Sequence, residues 1–279
     1  MINDECIQQL DSFLKDGFER NLFQAAIRNL SAEYHSLTFN NFAYAMRELI
    51  RHLLHRSAPD DEIRQCSWFQ PDSTSKSGII RRHRLQYMIH GGLGDYLLKK
   101  FGLDQIIEDV CDNLLLQQKT LDAFTHIGPT TFEIPQEECQ KLAQECIEAV
   151  IKIISIIDQI KNAVFTKIED TLDGHLLEST IYESIEEIEA LARRASIEEL
   201  YTTGFDKITI LSNKVIFTVV GNANCYFEYG SRREWREGDG TVLMPSFPFQ
   251  AEVSVMIEIP FGEAISVHHV GINTDSWYE

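Results

Sequence analysis

Apolar positions recur at three- and four-residue intervals through the first two thirds of the chain, a spacing typical of amphipathic helices. The clearest case is LTFNNFAYAMRELIRHLLHR, whose apolar side chains form one continuous stripe. Pro59 ends that helix because proline cannot continue the hydrogen-bond ladder. The Gly91–Gly92 pair is expected to end another helix. The pattern predicts helices over residues 3–14, 18–30, 37–56, 79–90, 93–102, 103–124 and 136–167, then two more within 172–195.

The pattern changes after about Tyr201, where apolar and polar residues begin to alternate with the period of two that β-strands show. Turn signals lie at Ser212–Asn213 and at Gly221–Asn222. Strands are predicted within residues 207–231, 249–260 and 264–272.

The two patterns together predict an α+β fold. An N-terminal all-helical domain (residues 1–200) is followed by a small C-terminal antiparallel β domain (residues 201–279). With 279 residues, the chain is long enough to bury a substantial core.

The net charge of the chain and its distribution limit the classes of function that are expected. The formal net charge is −18, which argues against a protein that coats DNA or a membrane, because such binding needs positive potential. The charge is unevenly spread, however. Residues 41–100 hold 10 Lys or Arg against 6 Asp or Glu, together with four histidines. A local basic surface on an acidic protein is therefore predicted.

Cysteine usage and the apolar runs indicate the compartment. The six cysteines form no CxxC pair and no zinc-ligand rhythm, which is typical of reduced thiols in the cytoplasm. The first residues lack the basic and apolar regions of a signal peptide, and the most apolar run, AVIKIISIIDQI, is too short to span a bilayer. We expect a cytoplasmic protein with no membrane partner.

The stretch RELIRHLLHR concentrates basic residues on one helix. Arg47, Arg51 and His55 are four residues apart, so they drift by only about 40° per step and line one face. Guanidinium groups suit phosphate, and imidazole is the natural proton carrier near neutral pH. The alternative is a solvated face whose cations pair with the many carboxylates of the chain.

Two further basic features lie downstream. The stretch RRHRLQYMIH carries Arg81, Arg82, Arg84 and His90 toward a helix end. His126 falls where a helix meets a Gly-Pro break, so its imidazole either projects into a cleft or interacts with the helix dipole.

Two weaker candidate sites, a metal site and a base-stacking site, involve the stretch SRREWREGDG and Trp68. Glu234, Glu237 and Asp239 could bind a metal, although a polar hairpin loop whose arginines balance its acids is favoured. Trp68 and Trp235 stand near basic residues, where they either stack on bases or hold loops in place.

Four blocks carry a family resemblance. NNFAYAMRELIRHLLHRSAPDDEIRQCSWF, RRHRLQYMIHGGL, FTHIGPTTF and YFEYGSRREWREGDGTVLMPSFPF together resemble the predicted pPIWI-associating nuclease family. That bacterial family is named from gene neighbourhoods that contain Piwi-type proteins, in a defence setting. The helical part also looks like the HEPN class of all-helical domains.

The resemblance implies a chemistry. HEPN enzymes are typically metal-independent endoribonucleases that act as dimers, in which Arg and His from both chains meet. It therefore implies RNA cleavage without metal or cofactor, a homodimer, and a protein partner from a defence system. The competing hypothesis is a non-catalytic dimeric interaction or regulatory module of a defence complex. The predicted catalytic residues are His55, His126, Arg47 and Arg51, and the predicted substrate-binding residues are Arg81, Arg82 and Arg84.

Overall fold

The computed structural model describes residues 3–182, 186–192 and 194–278. It confirms the α+β class, with helices first and an antiparallel sheet at the C-terminal end. The helices are α1 (Asp4–Phe13), α2 (Phe18–Ser31), α3 (Thr38–Ser57), α4 (Asp60–Gln65), α5 (Arg81–His90), α6 (Asp95–Phe101), α7 (Asp104–Phe124), α8 (Gln136–Tyr182), α9 (Glu186–Glu189) and α10 (Arg232–Glu237). The strands are β1 (Arg194–Ile210), β2 (Lys214–Tyr229), β3 (Thr241–Leu243), β4 (Ser246–Met256) and β5 (Ile265–Ile272).

The chain divides into two compact units, which we call the N-terminal unit (residues 1–160) and the C-terminal unit (residues 161–279). The predicted change of pattern at residue 201 falls within β1, which begins at Arg194. Within the described residues, no helix combines the length and the apolar character needed to cross a membrane.

Helix α3 is the centre of the N-terminal unit and contacts α2, α5 and α7. Its predicted apolar stripe is confirmed, since every member is at most 3% exposed. The stripe consists of Phe42, Met46, Leu49, Ile50, Leu53 and Leu54. Burial of this stripe leaves the basic residues of α3 along the margins of the helix.

The ends of two helices follow the predicted signals. Helix α3 stops at Ser57, two residues before Pro59, and the short helix α4 follows at once. Helix α5 ends at His90, and the next residue, Gly91, has a φ of 56°, which glycine adopts without strain. Helix α5 contacts α3, and both helices contribute arginines to one cavity.

The predicted break near residue 167 is wrong, because α8 continues to Tyr182 as one helix. Val164, Ile168, Leu172 and Leu176 are each four residues apart, and all are fully buried. This unbroken apolar stripe favours a continuous helix through Gly174, although glycine costs about 1 kcal/mol in a helix interior.

The C-terminal sheet has the order β1-β2-β4-β5, with β3 on the far part of β2, and every pairing is antiparallel. The predicted turn at Ser212–Asn213 is confirmed between β1 and β2. The predicted turn at Gly221–Asn222 is wrong, because both residues lie inside β2. A Cβ on Gly221 would lie 1.9 Å from the carbonyl oxygen of Tyr201, so glycine here permits a close approach of strands.

Candidate functional site

A cavity of about 280 Å³ opens between α3, α5 and α7 in the N-terminal unit, and we call it the arginine cavity. The predicted residues Arg47, Arg51, His55, Arg81 and Arg84 all line it. The lining is completed by Leu54, Ser77, Ile79, Ile80, Gln118 and Asp122. Five of the seven residues predicted from sequence therefore meet at one place.

Helix α3 presents Arg47, Arg51 and His55 on one face, as their four-residue spacing predicts. The Nε of Arg51 donates to Oε2 of Glu48 at 2.9 Å, and an Nη of Arg47 lies 3.5 Å from the other carboxylate oxygen. Glu48 and Arg51 are three residues apart and therefore neighbours on the helix surface, so Glu48 holds Arg51 along the helix. The side chain of Arg51 remains 58% exposed, which leaves most of its donors open to a ligand.

Asp122 on α7 joins the two arginine clusters. Its Oδ1 accepts from Nε of Arg47 at 2.6 Å, and its Oδ2 accepts from an Nη of Arg81 at 2.8 Å. Partial burial acts to raise the pKa of Asp122, but the hydrogen bonds and charges of Arg81 and Arg47 outweigh it. The pKa therefore lies below its usual range, and the carboxylate is ionised near neutral pH.

Arg84 is the most buried arginine of the cavity, with a side chain 11% exposed. One Nη donates to the carbonyl oxygen of Ala58 at 2.7 Å, and the other donates to Oδ1 of Asp60 at 2.6 Å. These bonds tie α5 to the connection between α3 and α4. Arg84 thus fixes the wall of the cavity as well as contributing charge to it.

His55 forms no hydrogen bond with any described residue. Partial burial lowers the pKa of His55, and the nearby charges of Arg84 and Arg51 lower it further, whereas Asp60 opposes them. The imidazole is therefore neutral near pH 7, so one ring nitrogen keeps a lone pair that accepts a proton.

Gln118 is a lining residue that no sequence pattern indicated. It is 4% exposed, and its Oε1 has no hydrogen-bond partner within the described part of the chain. An unpartnered buried acceptor costs about 1–3 kcal/mol, so it is uncommon without a reason. Gln118 and Asp122 are four residues apart on α7, and Gln118 is the polar member of its buried stripe, which otherwise consists of Ile107, Val110, Cys111, Leu114 and Leu121.

The other two predicted site residues do not line this cavity. Arg82 pairs instead with Glu108 and, at 2.6 Å, with Oδ1 of Asp112, both nearer the start of α7 than Asp122. His126 follows the end of α7, and its backbone N–H donates to the carbonyl oxygen of Ala123 at 3.3 Å. The roles predicted for these two residues stay predictions.

A second cavity, of about 530 Å³, lies on the other side of α5 and is lined in part by Trp68, His83 and His90. Burial lowers the pKa of His90 to about 4, so this imidazole is neutral. Three acids and one lysine line the same cavity, namely Asp95, Asp104, Glu108 and Lys99. Its charge is therefore the opposite of that of the arginine cavity.

The arginine cavity is positive. Four arginines and one aspartate line it, a formal charge of +3 with His55 neutral. Glu48 contacts Arg47 and Arg51, Asp60 pairs with Arg84, and these two carboxylates reduce the local sum to +1. Among the described residues, no group of three or more His, Cys, Asp or Glu is placed to hold a metal ion.

Comparison with known proteins agrees with the resemblance seen in the sequence. Two family models match the chain, at residues 11–150 and 157–278, and both are described as predicted pPIWI-associating nuclease. Searches of curated proteins and of solved structures gave no match. Because the two models together cover nearly the whole sequence, the chain belongs to the family of predicted pPIWI-associating nucleases.

Proposed function

We propose that the protein is a metal-independent endoribonuclease of the HEPN type, with the arginine cavity as its active site. The observation that carries the proposal is the convergence of four arginines and a neutral histidine on one cavity. Arginine forks bind phosphate oxygens, and a neutral imidazole accepts a proton at physiological pH. An acidic overall charge is compatible, because only the cavity must be positive.

The chemistry follows from these groups. His55 takes the proton from the ribose 2′-hydroxyl, whose oxygen attacks the adjacent phosphorus. Arg47, Arg51 and Arg81 stabilise the charge that develops on the phosphate oxygens. The bond from phosphorus to the 5′-oxygen breaks, and that oxygen takes up a proton. The products are a 2′,3′-cyclic phosphate and a 5′-hydroxyl end.

The proton for the leaving oxygen comes from a second acid. His55 is the one imidazole among the described residues that line the cavity, so we assign the second imidazole to another copy of the chain in a homodimer. His126 is predicted from the sequence as a catalytic residue, and we assign it to that role in the second copy. A dimer supplies the second imidazole only if the two cavities face each other across the interface. The mass of the protein in solution tests whether a dimer forms. Mixing two inactive variants, His55→Ala and His126→Ala, tests whether the two chains share one active site.

The test is cleavage of single- and double-stranded RNA and DNA by the full chain, with and without EDTA. We expect RNA cleavage that resists EDTA and yields cyclic phosphate ends. His55→Ala should lower the rate about 10²–10⁴-fold, because it removes the general base. The double change Arg47→Ala/Arg51→Ala should lower it at least about tenfold, because it removes charged hydrogen bonds to phosphate.

Matched controls separate the site from general damage. Arg28 is exposed on α2, and His269 is exposed on β5, so Arg28→Ala and His269→Ala remove the same side-chain types elsewhere. Both should cleave as wild type, and circular dichroism should show every variant folded. Cleavage that EDTA abolishes, or products with 3′-hydroxyl ends, would contradict the mechanism.

A specific observation favours a second function, the non-catalytic interaction module. All four arginines of the cavity already have oxygen partners: Asp122 for Arg47 and Arg81, Glu48 for Arg51, and Asp60 for Arg84. If these pairs are purely structural, the folded wild-type protein should cleave no RNA and bind none through this cavity.

The family description leads us to place the nuclease in a bacterial defence system, where a pPIWI protein is the proposed partner. Bacteria that carry the wild-type gene should then resist phage, whereas His55→Ala should abolish the protection. Equal protection by both forms would separate the defence role from cleavage at this cavity.

A further inference from the structure

The stretch SRREWREGDG folds as a short helix rather than as the polar hairpin loop expected from sequence. The Oγ of Ser231 accepts from the N–H of Glu234 at 3.3 Å, and the Glu234 carboxylate accepts from the N–H of Ser231. This reciprocal pair starts α10, and Gly238, with a φ of 86°, ends it. The helix thereby has a defined face.

The two acids of α10 are occupied away from that face. Glu234 caps the helix, and its bonds to Ser231 hold the pKa of the carboxyl below its usual range. Glu237 pairs with Arg233 at 2.8 Å. Within the described residues, Arg232 and Arg236 form no hydrogen bond and no ion pair. The two acids of α10 therefore leave two of its arginines without a partner among the described residues.

Those two arginines line a cavity of about 300 Å³ in the C-terminal unit, which we call the Trp235 cavity. Arg232, Trp235 and Arg236 share one face of α10, because residues three and four apart are neighbours on a helix. The rest of the lining is Arg194, Glu228 and Gly230. Arg194 and Glu228 pair at 2.9 Å, so the cavity keeps the two positive charges of α10.

Trp235 is held on one side and open on the other. A Cβ on Gly240 would lie 2.4–2.8 Å from three carbons of the six-membered indole ring, so the Gly240 backbone packs against a ring face. The residue is nonetheless 40% exposed. An exposed indole between two unpaired guanidiniums presents a flat apolar surface next to positive charge.

We propose that the Trp235 cavity binds a nucleotide of single-stranded nucleic acid, with the base stacked on Trp235 and the phosphate held by Arg232 and Arg236. Aromatic stacking tolerates any base, and paired arginines suit phosphate oxygens. An acidic peptide would satisfy the arginines but would leave the indole without a planar partner. The proposal goes beyond the chemistry at His55 and does not depend on it.

The test is equilibrium binding of a fluorescently labelled oligouridine to the full-length His55→Ala protein, which prevents cleavage during titration. Arg232→Ala/Arg236→Ala should weaken binding at least about tenfold. It should also reduce the slope of log affinity against log salt by about 0.7 for each phosphate that the protein no longer neutralises. Trp235→Ala should weaken binding about tenfold, and Trp235→Phe should restore most of the affinity, because a phenyl ring still stacks.

Arg233→Ala is the matched control, because Arg233 lies on the same helix, pairs with Glu237 and does not line the cavity. Its affinity should stay close to that of the parent. Gly240→Ala should mimic Trp235→Ala, since the added methyl group displaces the indole. Equal binding by Arg233→Ala and Arg232→Ala/Arg236→Ala would overturn the proposal.

Competitors identify the source of the ligand. Competition by uridine monophosphate as strong as that by the oligonucleotide supports the site and assigns it to free nucleotides. Competition by polyglutamate as strong as that by RNA, with no effect of Trp235→Ala, would overturn it in favour of a peptide. If binding depends on Arg232 and Arg236 but the wild-type protein cleaves no RNA, the nucleotide site is supported and the ribonuclease is rejected. If the wild-type protein cleaves RNA but binding does not depend on Arg232 and Arg236, the ribonuclease is supported and the nucleotide site is rejected.

Discussion

Helix α3 carries two basic faces, and they differ in what neutralises them. On one face, Nε of Arg56 lies 2.6 Å from the Glu19 carboxylate, and His52 lies 3.3 Å from the same group. That carboxylate is 3% exposed. On the other face, Arg51 pairs with Glu48 at the open arginine cavity, and His55 has no hydrogen-bond partner among the described residues.

The difference shows that the burial of the partner carboxylate decides whether an arginine stabilises the fold or is available to a ligand. A buried carboxylate must keep its partner, because an uncompensated buried charge is strongly destabilising. A half-exposed pair is nearly neutral for stability, since water solvates either ion when the pair opens. Arg56 is therefore committed to the fold, whereas Arg51 is able to exchange Glu48 for a phosphate.

The largest expected effect comes from breaking the buried face. Arg56→Ala should lower the free energy of unfolding by about 1.5–3 kcal/mol, because the buried Glu19 carboxylate loses a charged hydrogen bond and keeps only His52 and the backbone N–H of Lys15. Arg51→Ala, the same change five residues before it on the same helix, should cost at most about 1 kcal/mol. Urea unfolding followed by circular dichroism measures both.

A second variant checks the reason for that difference. Glu19→Gln combined with Arg56→Ala should recover part of the stability, because no charge then stays buried. Glu19 also accepts a hydrogen bond from the backbone N–H of Lys15 at 3.0 Å, and the amide of Glu19→Gln keeps one carbonyl oxygen for that bond. Equal destabilisation by Arg56→Ala and Arg51→Ala would show that the two faces do not differ.

Asp122 provides a second comparison, because it is a half-exposed carboxylate that holds two arginines of the cavity. Its side chain is 36% exposed, yet it holds both Arg47 and Arg81. Asp122→Asn should lower kcat of RNA cleavage about tenfold, as the guanidiniums lose the geometry that stabilises the transition state. KM should stay equal or fall, because the cavity gains one positive charge.

That split between kcat and KM distinguishes a positioning residue from a merely structural one. Asp122→Glu should restore part of kcat, since it returns the charge on a longer side chain. The free energy of unfolding should change by about 1 kcal/mol or less for this half-exposed network. A raised KM with an unchanged kcat would mean that Asp122 serves substrate binding instead.

Much of the fold was predictable because burial leaves a periodic mark. The stripe of α3 and the alternation in β2 both report which side chains leave water. Strand β1 was placed too late for a physical reason. It is an edge strand with little full burial, and register shifts between Ile197/Glu199, Thr202/Gly204 and Phe205/Lys207 interrupt its alternation.

The site was predictable only as far as it lies on one helix. The spacing of Arg47, Arg51 and His55 places them on one face, and all three line the cavity. The partner Asp122 is 75 residues from Arg47 in sequence, and no local pattern connects them. In the same way, the periodic pattern gives the position of Arg56 on α3 but does not predict that Arg56 pairs with the buried Glu19.

The smallest expected effect concerns the pH dependence of cleavage. Protonation of His55 removes the lone pair of the base, so kcat/KM should fall as pH drops through the pKa of His55. Burial, Arg84 and Arg51 lower that pKa, so the acid limb should lie below 6.5, the ordinary value for histidine. Arg51→Gln removes one lowering charge and should move the limb upward toward 6.5.

The position of the limb is independent of the overall rate, so it reports on His55 even if Arg51→Gln is slower. Arg28→Gln, which removes an exposed arginine from α2, should leave the limb in place. A limb that lies above 6.5, the ordinary histidine value, or one that Arg51→Gln leaves unmoved, would assign the titrating base to another group. His55 would then be an exposed imidazole of the arginine cavity that takes no part in the proton transfer.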